Sequence, residues 1–302
     1  YKLPVRRINT LEKRRSDNKL NKRFKQHMKV SFFTHMTNPE ERMDPWREAL
    51  ECYNFFADEV DVVGENWPYE FNWKEIGENF QEGLSKSSGD WVGNMELDNF
   101  LHENSKDKLV NAFKEHKYAP AIAVPKFKFF NPSRCEFKNF QVIFLNKKEF
   151  PNIKLNGGGD LCLATLDGIL LDHKNVPIVN IPIWNYDTTF RTKEIIAQDR
   201  ARFARAWFRY FNEWSDRGGE TEREAYDAWF KMVAERLPKH IIKVDVNDHP
   251  VFIQKKLKSL TLNQFGYDCF GMLNNSKPSL KNYYEYYKMR IKFPTVKLTT
   301  NL

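Results

Sequence analysis

The spacing of hydrophobic and polar residues between positions 29 and 63 predicts two strands around one helix. Residues 29–35 form a β-rich apolar run bounded by polar residues, which is typical of a buried strand. The turn signal at 38–40 precedes residues 47–56, where apolar side chains recur on a helical period. Residues 59–63 form a second short strand. This order of strand, helix and strand favours a parallel sheet in an α/β fold.

The next segment places two acidic residues at the end of a strand. Residues 73–86 carry apolar side chains at spacings of three and four, which fits an amphipathic helix. Residues 91–95 then predict a third strand, and Glu96 and Asp98 follow its carboxyl end. Ligands of open α/β sheets bind beyond the carboxyl ends of the strands. Both carboxylates are therefore well placed for chemistry.

The pattern changes from strands to helices in the last third of the chain. Residues 119–130 and 140–145 are strand-like, whereas aromatic-rich helices are predicted from residue 192 onward. We therefore divide the chain into an arm or linker at 1–28, an α/β core at 29–190 and a mainly helical region at 191–302 that packs on the core.

Composition supports a folded chain without a membrane span. Hydrophobic residues make up 41% of the 302 residues, which is enough apolar material for a core. No apolar run approaches the roughly 18 residues that a transmembrane helix needs. The four cysteines are far apart and form no CxxC pair. This pattern favours reduced thiols, so we expect a cytoplasmic protein.

The positive charge of the chain is compatible with an anionic partner but does not identify it. The net charge is +8, and much of the excess lies in the first 29 residues. A basic arm of this kind can bind nucleic-acid phosphates or an anionic surface. It can equally be a solvated helix or linker.

Glu96 and Asp98 have the spacing of a metal site. Side chains two residues apart on an extended segment point to the same side. Carboxylates in such a pair can hold Mg²⁺ or Mn²⁺, which keep open positions for phosphate oxygens. A charged loop at the end of a strand has the same pattern, so the pair alone does not decide.

The surrounding residues make the pattern more specific. Gly89-Asp90-Trp91, an apolar strand, Glu96-x-Asp98 and Phe100-Leu101 occur in that order. This series resembles the GDW–strand–DxDE–FL signature of family-2-like GT-A glycosyltransferases. The resemblance covers residues 29–190, and its specific part is confined to about 72–103. It departs from the family where Glu96 replaces the first Asp and Asn99 replaces the Glu after the second.

The resemblance implies a GT-A fold, which is a Rossmann-like α/β fold with a mostly parallel central sheet flanked by helices. Here the core would carry a helical C-terminal extension. It also implies divalent-metal assistance by Mn²⁺ or Mg²⁺, with Asp98 as the main ligand and Glu96 and His173 as further candidates. Glu96 could instead contact ribose or a bound water.

The resemblance further implies a nucleotide-sugar donor, either a UDP-sugar or a GDP-sugar. The expected donor-binding residues are Thr34, His35, Asn38, Glu40, Asp61, Asn79, Glu96 and Arg191. An inverting transferase needs a general base for the acceptor hydroxyl. Asp160, which follows three glycines, is our choice, with Asp167 and Asp172 as alternatives.

The sequence therefore predicts a metal-assisted glycosyltransferase whose acceptor is a glycan, a lipid-linked sugar, a protein or a nucleic acid. Two other classes stay open. One is a nucleic-acid-directed protein, either a base-modifying sugar transferase or a basic binding module. The other is an interaction protein that kept an inactive transferase-like fold.

Overall fold

The structure is a computed structural model that describes residues 28–65, 68–70, 72–156 and 163–298. Asp160 and nearly all of the predicted basic arm lie outside these residues. The strands are β1 (Val30–His35), β2 (Glu59–Val63), β3 (Trp91–Asn94), β4 (Asn99–Leu101), β5 (Ala121–Asn131), β6 (Arg134–Leu145), β7 (Ile153–Asn156), β8 (Leu163–Leu166), β9 (Ile169–Leu170), β10 (Ile183–Asn185) and β11 (Ile242–Lys243). The α-helices are α1 (Trp46–Phe56), α2 (Trp73–Lys86), α3 (Lys106–Glu115), α4 (Lys193–Phe211), α5 (Glu222–Arg236), α6 (Val251–Lys258), α7 (Phe265–Asp268) and α8 (Leu280–Lys292).

The central sheet has the order β2-β1-β3-β6-β5-β10-β4, and β11 pairs with β6. Strand β1 is parallel to both β2 and β3, and β10 is parallel to β5. Strand β6 is antiparallel to β3 and to β5, so β3 and β5 share one direction. Most of the strands therefore run the same way. The prediction of an α/β fold with a mostly parallel central sheet flanked by helices is confirmed.

The antiparallel strand β6 was not foreseen. It begins at Arg134, soon after β5 ends at Asn131, so the connection is a hairpin. So short a connection cannot carry the crossover that a parallel pair requires. A second sheet, antiparallel and in the order β7-β8-β9, lies outside the central one.

Both faces of the central sheet are covered, which agrees with the largely apolar composition of β1 and β3. Adjacent residues of β1 point to opposite faces. Phe32 packs on Tyr53 of α1 with ring centroids 6.1 Å apart. Phe33 packs on Phe80 of α2 at 6.5 Å. The two rings belong to separate buried clusters on the two faces of the sheet.

Helix α2 shows why the local pattern was predictable. Asn72 accepts a hydrogen bond from the backbone N–H of Glu75 at 3.0 Å, and the Glu75 carboxylate accepts one from the N–H of Asn72 at 2.9 Å. This capping box fixes the first turn. The apolar stripe of α2 then packs on the sheet, so local and tertiary preferences agree.

The region after residue 191 contains helices α4 to α8, and it also contributes β11 to the central sheet. A backbone hydrogen bond of 2.7 Å from Gly266 to the carbonyl of Thr189 joins it to the end of the core. The division near residue 190 stays a prediction. Within the described part of the chain, no helix is both long enough and apolar enough to cross a bilayer.

Candidate functional site

The Gly89-Asp90-Trp91 series sets the start of β3. A Cβ atom on Gly89 would lie 2.5 Å from the backbone nitrogen of Ser31, so a side chain cannot fit between this residue and β1. The ring of Trp91 stacks on Phe113 of α3 with centroids 4.6 Å apart. These residues therefore position the strand, and the candidate ligand-binding side chains follow its end.

The turn after β3 holds Glu96 and Asp98 in place. The Tyr53 hydroxyl lies 2.5 Å from the carbonyl oxygen of Glu96 and 3.0 Å from that of Asn99. The backbone N–H of Asn99 donates to the Glu96 carbonyl at 2.8 Å, and that of Tyr186 donates to the Asp98 carbonyl at 2.9 Å. Groups from α1 and from the end of β10 thus fix the backbone of the acidic pair.

Asn99 replaces the Glu of the resembled signature, and its side chain forms hydrogen bonds that help to hold the site together. Its side chain is buried, donates to Oε2 of Glu96 at 3.2 Å and accepts from the Asn185 amide at 2.9 Å. The Glu96 carboxylate also lies 3.5 Å from Nζ of Lys126. Glu96 is therefore already engaged by two protein groups.

Asp98 is the least satisfied acid of the site. Its Oδ1 is buried and has no hydrogen-bond partner in the described part of the chain. Burial, and next the negative charge of Glu96, raise the pKa of Asp98 to about 6. Buried polar atoms are nearly always paired. An unpaired carboxylate oxygen beside a cavity therefore marks a position for a ligand.

A cavity of about 480 Å³ lies at this edge of the sheet. Small-molecule sites typically measure about 300–1,000 Å³. His35, Glu96 and Asp187 line it, and they lie at the carboxyl ends of β1, β3 and β10, which share one direction. The carboxyl ends of these strands are where open α/β sheets bind ligands.

Cationic side chains outnumber acidic ones among the described residues that line the cavity. The cationic ones are Arg42, Lys126, Lys128, Lys138, Arg191, Arg200, Arg202, Arg217 and Arg236. The acidic ones are Asp44, Glu96, Asp98, Asp187, Asp199 and Asp216. This balance favours an anionic ligand.

Two of these cations are buried lysines that the sequence analysis missed. Lys126 and Lys128 are 3% and 4% exposed, and their spacing places them on one face of β5. Nζ of Lys128 lies 2.6 Å from Oδ2 of Asp187. Burial outweighs this partner and lowers the pKa of Lys128 to about 8. The available signal was a pair of lysines two residues apart inside an otherwise apolar strand.

Arg191, a predicted donor-binding residue, lines the cavity but is committed to a buried ion-pair network. Its Nη2 lies 2.6 Å from Asp44 and its Nη1 lies 2.8 Å from Asp199. Arg42 bridges the same two carboxylates. Burial acts to raise the pKa of Asp44, but Arg42 and Arg191 outweigh it and lower that pKa. The network anchors the loop before α1 to the start of α4.

Three of the predicted donor-binding residues line the cavity in the described part of the chain: Glu96, Arg191 and His35. The His35 ring lies against Phe80 with centroids 4.3 Å apart, and burial lowers its pKa. Thr34 is buried on β1, and its Oγ1 has no hydrogen-bond partner among the described residues. It is not part of the cavity wall.

The remaining predicted donor-binding residues have local partners, and none of them lines the cavity within the described ranges. Glu40 is exposed and pairs with Arg47, while the Asn38 carbonyl accepts a backbone hydrogen bond in the same loop. The Ser87 hydroxyl donates to Asp61 at 3.0 Å. The side chain of Asn79 donates to a carbonyl of its own helix at 2.8 Å.

His173 and Asp160 stand apart from this geometry. The ring of His173 stacks on Phe140 with centroids 5.3 Å apart, and it is not among the described residues of the cavity wall. The structure does not bring it to Asp98, so we leave it out of the proposed metal site. Asp160 lies outside the described residues.

The acidic pair fits a magnesium or manganese ion only in combination with a phosphate ligand. Among the described residues, no three His, Cys, Asp or Glu side chains converge in a manner that could hold a metal. Asp98 offers an unpaired oxygen and Glu96 a second, partly engaged carboxylate. Mg²⁺ is commonly bound by one or two carboxylates together with substrate phosphates. The residues present fit that arrangement.

No known family model matches this sequence, and no curated protein does either. The structure resembles crystal structures of residues 1–349 of S. aureus TarS, alone and in complex with UDP-GlcNAc. In both cases the identity is 11%, the TM-score is 0.31, and the match covers 87% of this chain and 92% of the other. A further TarS structure gives 12% identity and a TM-score of 0.32, over 85% of this chain and 54% of that one. Similarities of this size leave the function open.

Proposed function

We propose that the chain is a glycosyltransferase that holds a nucleotide-sugar donor in the cavity beyond β1, β3 and β10. The observation that carries the proposal is the unpaired, buried Oδ1 of Asp98, which lies at a cavity with an excess of cationic side chains. A nucleoside diphosphate sugar matches both of these features. Its diphosphate matches the cations, and it can share a metal with Asp98.

Asp98 is the proposed direct ligand of Mn²⁺ or Mg²⁺, and Glu96 contacts the ion through water or contacts the ribose. When bound, the ion would act as a Lewis acid on the diphosphate leaving group. Lys126 and Lys128 add positive charge from the protein itself, in a buried setting where charge interactions are stronger than in water. We assign these two lysines to the diphosphate.

The donor class is a UDP-sugar or a GDP-sugar, and the acceptor is a hydroxyl of a glycan, a lipid-linked sugar, a protein or a nucleic acid. For an inverting reaction, Asp160 remains the proposed general base. Asp187 lines the cavity but is poorly suited to that task. Burial acts to raise its pKa, yet Lys128 and Arg200 hold it well below the usual value.

The test is thermal unfolding with UDP, GDP and a panel of their sugars, with and without Mn²⁺. We expect a UDP- or GDP-compound to raise the melting temperature, and Mn²⁺ to increase the shift. Asp98→Asn should remove the metal-dependent part. Lys126→Met and Lys128→Met should weaken binding both with and without the ion, because they remove charge that the metal does not supply.

Exposed residues of α3 give matched controls. Asp107→Asn and Lys114→Met make the same chemical changes away from the cavity and should bind like the wild type. No stabilisation by any nucleotide at millimolar concentration would contradict the proposed function. Full metal-dependent binding by Asp98→Asn would contradict the assignment of the ligand but not of the cavity.

A further inference from the structure

Helix α8 has an outer face that no described element covers. None of its residues is buried. Its inner side carries the half-buried Asn282, Tyr286 and Met289, which recur on a helical period toward the protein. The opposite side faces solvent along its whole length.

The exposed side carries an apolar stripe. Leu280, Tyr284, Tyr287 and Ile291 are 88%, 63%, 59% and 82% exposed. Their spacings of four, three and four place them on one side of the helix, over a length of about 20 Å. An apolar stripe of this kind normally faces a core. Here it faces outward, as it does in an amphipathic helix that lies at a boundary between an apolar and a polar phase.

A second row of side chains runs beside this stripe. Lys281, Lys288 and Lys292 are exposed and share the neighbouring sector of the helix. Glu285 is the acidic residue of the same sector, so the row keeps a positive net charge. The whole chain also carries a net charge of +8. The partner of the stripe should therefore combine an apolar layer with negative charge.

We propose that α8 docks on a membrane surface that contains anionic lipids, with its apolar stripe among the acyl chains and its lysines at the phosphates. An amphipathic helix that lies in the interface has this distribution of side chains. Tyrosine suits the boundary because its ring is apolar and its hydroxyl is polar. Lysine can lay its methylene stem along the apolar surface while the ammonium stays at the headgroups.

The size of the stripe disfavours a second copy of the chain as the occupant. A stripe about 20 Å long and about 10 Å wide offers roughly 200 Å² of face. A stable protein–protein interface needs about 800 Å² on each partner. Membrane binding does not need an interface of that area. Burial of the apolar side chains among lipids and attraction of each lysine to anionic headgroups both contribute to the binding free energy. The proposal does not depend on what the cavity binds.

The experiment is co-sedimentation of the full chain with phosphatidylcholine vesicles and with vesicles that also contain phosphatidylglycerol. We expect binding to the anionic vesicles that weakens with salt. Replacing the stripe by Leu280→Ser, Tyr287→Ser and Ile291→Ser should lower the partition coefficient about tenfold or more without changing net charge. Replacing Lys281, Lys288 and Lys292 by Gln should lower binding to the vesicles that contain phosphatidylglycerol. It should leave binding to pure phosphatidylcholine vesicles unchanged.

Matched controls remove a comparable amount of hydrophobicity, or the same positive charge, at exposed positions away from α8. One changes the exposed Ile169, Val251 and Leu262 to Ser, and the other changes the exposed Lys74, Lys114 and Lys231 to Gln. Both should bind like the wild type. Absence of binding by the wild type, or equal binding by the stripe variant, would overturn the proposal. So would a wild-type dimer that the stripe variant converts to a monomer, because the stripe would then join two copies.

Discussion

The guanidinium of Arg191 and the carboxylate of Asp44 meet with Nη2 and Oδ1 2.6 Å apart, although 147 residues separate them in the chain. Their side chains are only 7% and 8% exposed. Asp199 and Arg42 complete the network, so each carboxylate faces more than one guanidinium. The pair joins the loop after β1 to the first turns of α4, and it forms one wall of the cavity.

Arg191→Met should therefore destabilise the protein strongly. It leaves Asp44 and Asp199 buried with fewer partners, and breaking a buried pair costs about 3–5 kcal/mol. Urea denaturation measures the loss. Arg223→Met is the control, since the Arg223 side chain is 92% exposed and its removal should change stability by less than about 0.5 kcal/mol. A loss below about 1 kcal/mol for Arg191→Met would show that the network is not a structural anchor.

Asp98→Asn should stabilise the free protein at neutral pH. The folded protein raises the pKa of Asp98 to about 6, above its ordinary value, so the folded state favours the protonated acid. Protonated Asp98 therefore contributes favourably to the free energy of unfolding at low pH, and this contribution is lost as the pH rises through about 6. Asparagine resembles the protonated form. We expect a gain of about 1–3 kcal/mol at about pH 7.5 that shrinks toward about pH 4.

Urea denaturation across that pH range checks this prediction, with Asp107→Asn as the control. A free protein that is destabilised by Asp98→Asn at neutral pH would show that the carboxylate has a stabilising partner. The gain in stability, together with the loss of metal-dependent nucleotide binding, would identify Asp98 as a residue kept for function at the expense of stability.

His249 should make the protein sensitive to acid. The Pro132 carbonyl lies 2.8 Å from Nε2 and can only accept, so Nε2 carries the proton, and Nδ1 accepts from the Tyr186 hydroxyl at 2.7 Å. Burial lowers the pKa of His249 to about 4. The unfolded chain therefore takes up a proton near pH 6.5 that the folded protein refuses until about pH 4.

Stability should thus fall by about 2 kcal/mol between about pH 7 and pH 4.5 because of His249 alone. The variant His249→Gln should be less stable at neutral pH but should show a flatter acid limb in urea denaturation. His116→Gln should keep the wild-type slope. An unchanged slope in His249→Gln would refute the proposed pH dependence.

Gly89→Ala should disturb the start of β3 even though it adds one methyl group. The new Cβ would meet the backbone nitrogen of Ser31 at 2.5 Å, and a backbone atom of a paired strand cannot move aside easily. We expect a loss of about 2–3 kcal/mol in urea denaturation. Gly168→Ala is the comparison, because it meets no atom within 4 Å and its φ of +81° carries only a backbone cost of about 1 kcal/mol. Equal losses would mean that packing does not explain Gly89.

Local patterns were enough to predict the first five regular elements of the core, from β1 to β3. Residues 59–63 and 73–86 were assigned to a strand and a helix with the observed bounds, because hydrophobic period and capping residues act over a few neighbours. The first half of β6 was missed, since residues 134–139 mix charged and apolar types. Its antiparallel direction follows from the short hairpin after β5 and not from its own composition.

The sequence by itself placed Glu96 and Asp98 at the end of a strand, because that position depends only on local order along the chain. Only the tertiary structure decided which distant groups they meet. Lys128 reaches Asp187 across 59 residues and Arg191 reaches Asp44 across 147. Such pairs form where strand order and helix packing bring side chains together, and burial then makes each charge depend on its partner. A local sequence pattern therefore cannot show which distant residues form pairs.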